Sequence, residues 1–387
     1  MDLLAEAKSL TPLLKEYRRA VHGIAEVGLN TPKTNALIEK VLKQEGVSYR
    51  KCGGGILCTV GEGEGGILLR ADTDALPIKE ESGLPFAAKG DTSHACGHDM
   101  HTAMLLGALL LLKRNEKKLS NPVTLMFQPA EEILKGACSM IEDGALEGKP
   151  RFAYGIHILT DTDIPTGTLL APPAGTVTAA SDFFSVAFLG RGAHGATPEK
   201  GCNPLLPAAH ALLCLSGICA TELSPEKQAL LTVCRLEGAR ALNVIPSEVT
   251  LGGSFRTHDE ASRAFLLERI PALCEALAAP FGVAARFSHE AHCPALQTDG
   301  TARAHALSRL KAFCADVPRK EIPPFTAKPR GGSEDFAYRA ERIPAAFFSL
   351  AAGERKDGYC RPLHHSAVCF DENALPYGAA ALAAFAL

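Results

Sequence analysis

Five side chains able to bind a divalent metal fall within eight consecutive residues: His94, Cys96, His98, Asp99 and His101. Imidazole, thiolate and carboxylate form the donor set of zinc and its neighbours. An apolar run over 103–112 follows Thr102 and reads as a buried helix. The cluster therefore lies at a loop-to-helix junction, where irregular backbone can aim several side chains at one point. A polar loop with surface histidines is the plainer alternative, and partners elsewhere in the chain decide between the two. A buried strand over 123–128 runs into Pro129-Ala130-Glu131-Glu132. Two adjacent carboxylates past an apolar strand are costly unless a cation neutralises them. With a metal present, one can be a ligand and its neighbour a base. A second apolar segment, 152–156, ends in His157, and Leu363-His364-His365-Ser366 adds two imidazoles. Each has a bland reading alone: Glu131 and Glu132 as a helix N-terminal acidic pair, His157 as a core histidine, His364 as a loop residue. Taken together they favour a site.

The elements that must position these residues alternate. Helices are predicted over 3–24, 34–44 and 102–114, and strands over 66–71 and 123–128. Such alternation argues an α/β layer fold with a largely parallel sheet. After the Pro- and Gly-rich stretch at 165–175 the pattern changes to strand (182–188), helix (205–220), strand (229–236), strand (248–256), helix (260–278) and strand (284–288). That order suggests an α+β sandwich of self-contained size. A helix over 301–315 follows, and the apolar ending at 378–387 reads as a docked terminal helix. Donor candidates occur on both sides of the middle segment, so the first and last pieces must come together and the middle is an insertion. The glycines at 53–55 and 61–66 read as hairpin loops; no Lys-Ser/Thr follows to make a phosphate loop.

Composition bounds the function. A chain of 387 residues exceeds what one core usually covers. Hydrophobic content of 47% and charged content of 21% describe a soluble globular protein. The net charge of −3 leaves no basic footprint for nucleic acid or anionic lipid. The run at 103–112 is too short to span a bilayer. The first residues lack a signal peptide's basic-then-apolar order. Thirteen scattered cysteines then point to a reducing cytoplasm. Most read as small core hydrophobes. Cys96, between histidines, reads as a metal ligand, with a thiol nucleophile as the alternative.

Several blocks occur in a fixed order along almost the whole chain: Arg19-Ala20-Val21-His22 with Glu26-Val27-Gly28, Arg70-Ala71-Asp72-Thr73-Asp74-Ala75-Leu76-Pro77, 94–107, Gln128-Pro129-Ala130-Glu131-Glu132, Gly155-Ile156-His157, Asn243-Val244-Ile245-Pro246, Gly331-Gly332-Ser333-Glu334-Asp335-Phe336-Ala337, and Leu363-His364 with Ala374-Leu375-Pro376. On these blocks the sequence resembles the hippurate-hydrolase-like branch of the di-metal aminoacylase and carboxypeptidase family. The resemblance implies a catalytic α/β domain, 1–178 and 295–387, with a central mixed, largely parallel sheet flanked by helices. An inserted α+β sandwich over 179–294 would serve as lid and dimerisation domain. It implies Cys96, His98, Glu132, His157 and His364 as ligands of divalent ions, two per subunit, zinc by donor softness or manganese by resemblance. Glu131 would be the general base. Asp72 would orient a ligand, with a strand-end cap as the alternative. In the inserted segment, His194 matches a histidine that stabilises the oxyanion, often from the neighbouring subunit. Asn243 and Arg256 match positions that hold the substrate's carboxylate or carbonyl. The alternatives are a surface histidine and a strand ending in water. Ala193 and Gly195 depart from the usual lid motif, and His365 is a neighbour of the site or a solvent residue. The implied activity is hydrolysis of N-acyl-amino acids by a homodimer, without nucleic-acid or membrane partners. An exopeptidase acting on dipeptides, or a non-catalytic metal-binding relative, stands as the alternative.

Overall fold

The computed structural model describes residues 2–238, 240–321 and 332–387. Gly331, which opens the Gly-Gly-Ser-Glu-Asp-Phe block, lies outside them. The described residues form two compact units, one of 2–177, 297–321 and 335–387, the other of 178–238, 240–296 and 332–334.

The first unit is built on an eight-stranded mixed sheet ordered Tyr49–Cys52, Gly55–Val60, Val123–Gln128, Ile67–Asp72, Phe152–Leu159, Ala345–Ala351, Leu169–Ala171, Arg319–Glu321. Its centre is parallel: Ile67–Asp72 pairs in parallel with Val123–Gln128 and Phe152–Leu159, and the latter with Ala345–Ala351. These strands are near-continuous apolar runs, as burial on both faces requires. Helix His98–Arg114 lies on the sheet and is covered in turn by helices Thr11–His22 and Leu375–Ala386. Every residue from His98 to Leu112 is buried, which explains why the run is apolar all round rather than striped. Gly107 marks its closest crossing. A Cβ there would stand 2.8 Å from the Ala379 Cβ and 2.7 Å from Leu14 Cδ2.

Three local expectations differ from the structure. The helix over 3–24 is two helices, Leu3–Ser9 and Thr11–His22, because Pro12 suits a first turn and cannot continue one. The helix over 102–114 begins at His98, so the last metal-donor candidates belong to its first turn. The glycines at 53–55 do close a hairpin. Those at 61–66 do not, since Val123–Gln128 is inserted between the strands they connect.

The second unit is a four-stranded antiparallel sheet ordered Leu230–Glu237, Glu248–Thr257, Ala180–Leu189, Ala284–Cys293. Helices Leu205–Glu222 and Glu260–Ala278 cover one face. Alternate residues Phe184, Val186 and Phe188 meet Leu215, Leu251 and Leu266 in one core, the period of two expected of a half-covered sheet. Leu205–Glu222 is long and apolar enough to cross a membrane by length and composition, a run that the reading of 103–112 passes over. One face of this helix packs in the core through Ala208, Ala211, Leu215 and Ile218. The other exposes Leu206 and Leu213, the latter 71% accessible. Leu230–Glu237 edges the sheet, with Leu230 and Leu236 exposed.

The tight crossing at Gly107 gives a stability prediction. Gly107→Val should cost about 1–3 kcal/mol by overpacking, read as a lowered thermal midpoint. A midpoint equal to wild type would show that Leu14 and Ala379 yield without strain.

Candidate metal centre

The four parallel strands Ile67–Asp72, Val123–Gln128, Phe152–Leu159 and Ala345–Ala351 point the same way, so their C-terminal ends share one edge. Open α/β sheets place their sites along that edge. Asp72 ends the first strand, Glu131 and Glu132 follow the second, His157 lies near the end of the third, and the chain beyond the fourth leads to His364. Two of these turns use the left-handed region without glycine: Ala130 at φ +59° and His364 at φ +68°. Such residues persist only where the surroundings over-determine them. For His364 the clamp is its own N–H, which donates to Ala95 O at 2.9 Å. Gly97, at φ +80°, sits between Cys96 and His98, and a Cβ there would collide with the Ile158 side chain at 2.2 Å. Only glycine lets the two flanking donors turn toward one point.

The donors converge. Cys96 Sγ lies 3.5 Å from His157 Nε2 and 3.3 Å from His364 Nε2. Glu132 Oε1 lies 3.5 Å from His364 Nε2 and 3.8 Å from His98 Nε2. Donor atoms of Cys96, His98 and His157 fall within 4.8 Å of one another, as do those of Cys96, Glu132 and His364, and those of His98, Glu131 and Glu132. The five ligand candidates and Glu131 therefore form one connected cluster. Of the opening run, Asp99 and His101 take other work and His94 stands apart. Asp99 turns to Arg18 and His22. His94 is buried without a hydrogen-bond partner, and burial pushes its imidazole down to about 4. His101 has both nitrogens committed: Nδ1 meets Asp72 Oδ1, and Nε2 accepts from Ile158 N–H at 2.9 Å.

A hydrogen bond behind His157 fixes which nitrogen that ring presents. His157 Nδ1–H donates to Ile158 O at 2.7 Å, so Nε2 faces Cys96 with its lone pair. His98 Nδ1 faces Asp74 Oδ1 at 3.4 Å, and Asp74 accepts the N–H groups of Glu131 and Glu132 at 3.1 and 3.2 Å. Asp74 thus holds three members of the cluster, a role the sequence reading missed; the only signal was its spacing from Asp72. Asp72 lies 3.7 Å from His98 Nε2 and accepts from Arg70 Nη1 at 2.6 Å. Burial opposes its charge, but Arg70, His98 and His101 hold it well below the usual carboxylate range.

The same electrostatics test whether a cation fits. Burial drives the His157 imidazole down to about 3 and the Cys96 thiol above its ordinary range. Neutral imidazole is the ligating form, and a buried thiol becomes thiolate only beside positive charge. Both ring nitrogens of His98 and the Oε1 of Glu132 are buried without a hydrogen-bond partner. A pocket rich in lone pairs and poor in donors fits a divalent cation.

The remaining candidates lie in the second unit. His194 pairs with Val244 in a short ribbon, and Gly195 N–H donates to Asn243 O at 2.8 Å, so His194 and Asn243 are neighbours. Ala196 N–H donates to His194 Nδ1 at 3.1 Å, so Nδ1 is the accepting nitrogen of this exposed ring and Nε2 faces away as the donor. Half-buried Arg256 donates through Nη1 to Ser333 Oγ at 2.9 Å rather than ending its strand in water.

A sheet with metal donors ranged along its C-terminal edge and a carboxylate beside them defines a hydrolase of the metallopeptidase type. The chain matches Peptidase family M20/M25/M40 over residues 68–387 and belongs to that family. It is 37% identical to N-acetyl-L-cysteine deacetylase of Bacillus subtilis (strain 168), over 92% of this chain and 83% of that protein. It is 34% identical to IAA-amino acid hydrolase ILR1-like 6 of Arabidopsis thaliana, over 96% of this chain and 79% of that one. A Bacillus subtilis structure described as a dinuclear metal-binding peptidase of family M20 superposes with a TM-score of 0.81 at 28% identity, covering 98% of each chain.

Behind the donors a charged relay ties helix His98–Arg114 to the segment 77–92. Asp99 Oδ2 accepts from Arg18 Nε at 2.6 Å and meets His22 Nδ1 at 2.8 Å; His22 Nε2 meets Glu80 Oε2 at 3.0 Å. Burial lowers the His22 pKa, but the hydrogen bonds to Asp99 and Glu80 outweigh it and raise it from 6.5 to about 9. Burial opposes ionisation of Glu80, and its bonds to His22 and Ser82 prevail, lowering it from 4.5 to about 2. The His22 contribution is complete below pH 6.5 and is lost as pH rises through about 9; that of Glu80 is complete above pH 4.5 and is lost as pH falls through about 2. Glu80→Gln should therefore lower the thermal midpoint most between pH 4.5 and 6.5, with the deficit shrinking above pH 9. A deficit that grows with pH across that range would contradict the pairing.

Proposed function

We propose that this enzyme hydrolyses the amide bond of N-acyl-amino acids, with divalent ions held by Cys96, His98, Glu132, His157 and His364. The observation that carries the reading is the convergence of those five donors with Glu131 beside them. Cys96 belongs to two of the donor groups, which suits two ions per subunit. Zinc matches the thiolate and imidazole donors, with manganese as the second choice. Bound metal supplies Lewis acidity to water and to the amide carbonyl.

The residues do the rest. Glu131 takes the proton from the attacking water and returns it to the leaving amine nitrogen. Its backbone is fixed by Asp74, so the carboxylate need not search for its place. His194 gives the developing oxyanion a hydrogen bond from Nε2–H, and Asn243 and Arg256 hold the substrate's carboxylate. Two named relatives are an N-acetylcysteine deacetylase and an amino-acid-conjugate hydrolase, which favours an acyl-amino acid over a dipeptide. The family's peptidase character keeps dipeptides as the second reading. Amine release from N-acetyl- and N-benzoyl-amino acids against a dipeptide panel, with added zinc or manganese, separates the two. Release from dipeptides alone would reverse the choice, and release from neither would favour a non-catalytic relative.

The exposed apolar face of Leu205–Glu222 and the free edge of Leu230–Glu237 suit a homodimer through the second unit. Thirteen free cysteines suit the reducing cytoplasm.

Glu131→Gln should keep the fold and the metal content while turnover falls ~10²–10⁴-fold. Turnover within a few-fold of wild type at saturating metal would remove Glu131 from the mechanism. His194→Ala should lower kcat ~10²–10³-fold with metal content unchanged. If His194 serves the neighbouring subunit, heterodimers of His194→Ala with Glu131→Gln recover activity. Silent heterodimers would assign it to its own subunit.

A further inference from the structure

One loop of the first unit touches both ends of the donor cluster. Leu76 and Ser93 exchange backbone hydrogen bonds at 3.0 Å in each direction, so the ends of 77–92 meet and the segment closes on itself. Glu80, with a side chain 4% exposed, organises its interior: Oε2 accepts from Ala88 N–H at 2.7 Å and meets His22 Nε2 at 3.0 Å. Through His22 the loop is tied to Asp99, in the first turn of the helix that begins at His98. The next residue, Glu81, is exposed and has a different partner. Its Oε2 accepts from Ser366 Oγ–H at 2.6 Å, and its N–H donates to Ser366 O at 2.8 Å. Ser366 stands two residues beyond His364.

His364 needs such support. Its backbone lies in the left-handed region at φ +68°, which a residue with a Cβ adopts at a cost. Its side chain is 52% exposed, so packing does little to aim the ring. Two fixed points flank it instead. One is its own N–H on Ala95 O at 2.9 Å, and the other is the double bond of Ser366 with Glu81. A hydroxyl donating to a carboxylate at this length is a strong bond of its kind. The backbone bond beside it turns one contact into a two-point grip.

We propose that Glu81 and Ser366 form a clasp that positions His364, and that their bond sets the affinity for the ion His364 would share with Cys96 and Glu132. The proposal rests on the donor assignment above and on no particular substrate. Cys96, Glu132 and His364 form one donor group, and Cys96, His98 and His157 another. The clasp acts on the first group alone, because His98 and His157 are held from elsewhere: His98 faces Asp74, and His157 donates to Ile158 O. Partners that orient a ligand are expected to tune metal affinity without touching the metal.

The test is zinc binding by the full protein, stripped and reloaded, in competition with a chromogenic chelator. Wild type is compared with Glu81→Ala, Ser366→Ala, the double variant and Ser366→Thr, which keeps the hydroxyl. Tyr49→Phe, which loses a bond to Glu39 at the edge of the sheet, is the control. Each alanine variant should bind one ion ~3–10-fold more weakly and the other as wild type does. The double variant should lose no more than either single one, since both remove the same bond. Ser366→Thr and Tyr49→Phe should match wild type. Unchanged affinities in wild type and both alanine variants would overturn the clasp alone and leave the donor assignment standing. Equal weakening of both ions, or losses that add in the double variant, would make the contact a general structural one and overturn it too. A wild type that takes up no zinc or manganese would overturn the donor assignment itself, and the clasp with it.

Discussion

The site depends on one buried cation. Arg70 is 1% exposed and spans three anchors: Nη1 to Asp72 at 2.6 Å, Nη2 to Asp335 at 2.8 Å, and Nε to Gln128 at 3.0 Å. Asp72 ends one central strand and Gln128 ends its parallel neighbour, so the guanidinium fixes the relative height of the two strand ends from which the donors depart. Asp335 accepts in addition from Gln128 Nε2 and from Ala137 N–H. A charge so deeply placed is tolerated only when every partner is present, and loss of one partner of such a pair costs about 3–5 kcal/mol. Rigidity follows from that cost. The carboxylate of Asp72 cannot wander, and through it neither can His98 nor His101.

Local backbone strain follows from the same demand. Donors from separate segments of the chain must reach a common point within a few ångströms, and ordinary strand or helix endings do not aim side chains that finely. Gly97 solves the problem with its missing Cβ, Ala130 and His364 with left-handed backbone held by neighbouring hydrogen bonds. The His364 ring is also about half exposed, while its partners Cys96 and Glu132 are largely covered. Access from solvent is thus concentrated on the one donor that arrives last in the chain.

The convergent donor cluster was more legible in the sequence than its scaffolding. Cys96, His98, Glu131, Glu132, His157 and His364 announce themselves because thiols, imidazoles and paired carboxylates are rarely placed beside apolar strands without cause. His101 and Asp99 belong to the same run and have the same donor atoms. Their different fate is set by Ile158 N–H and by Arg18, contacts of long sequence separation that local spacing does not reveal. Asp74 was hidden for a related reason: it acts on backbone N–H groups, which every residue has. The helix over 260–278 was read with its true ends, and Asp259 caps its start by accepting from Ser262 N–H. The short strands Leu169–Ala171 and Arg319–Glu321 were not read at all, because three residues carry too little pattern to rise above a loop. The glycines at 61–66 misled because a hairpin and a crossover begin with the same turn chemistry.

On the proposed mechanism the candidate residues of the two units would do different chemical work. All the metal-donor candidates and the base candidate belong to the first unit, in which helix His98–Arg114 is buried along its length. The groups suited to a substrate's carboxylate and oxyanion, Asn243, Arg256 and His194, belong to the second. The donor cluster must stay fixed whether or not substrate is present, because lone pairs brought this close repel one another without a cation. Substrate-holding groups gain nothing from such permanence. His194 lies in a two-residue ribbon and Asn243 beside it, both exposed, where the cost of rearrangement is small. Buried charge is present in both units, Arg70 with Asp72 in the first and Asp182 with Arg263 in the second, but the close-set metal-donor candidates belong to the first.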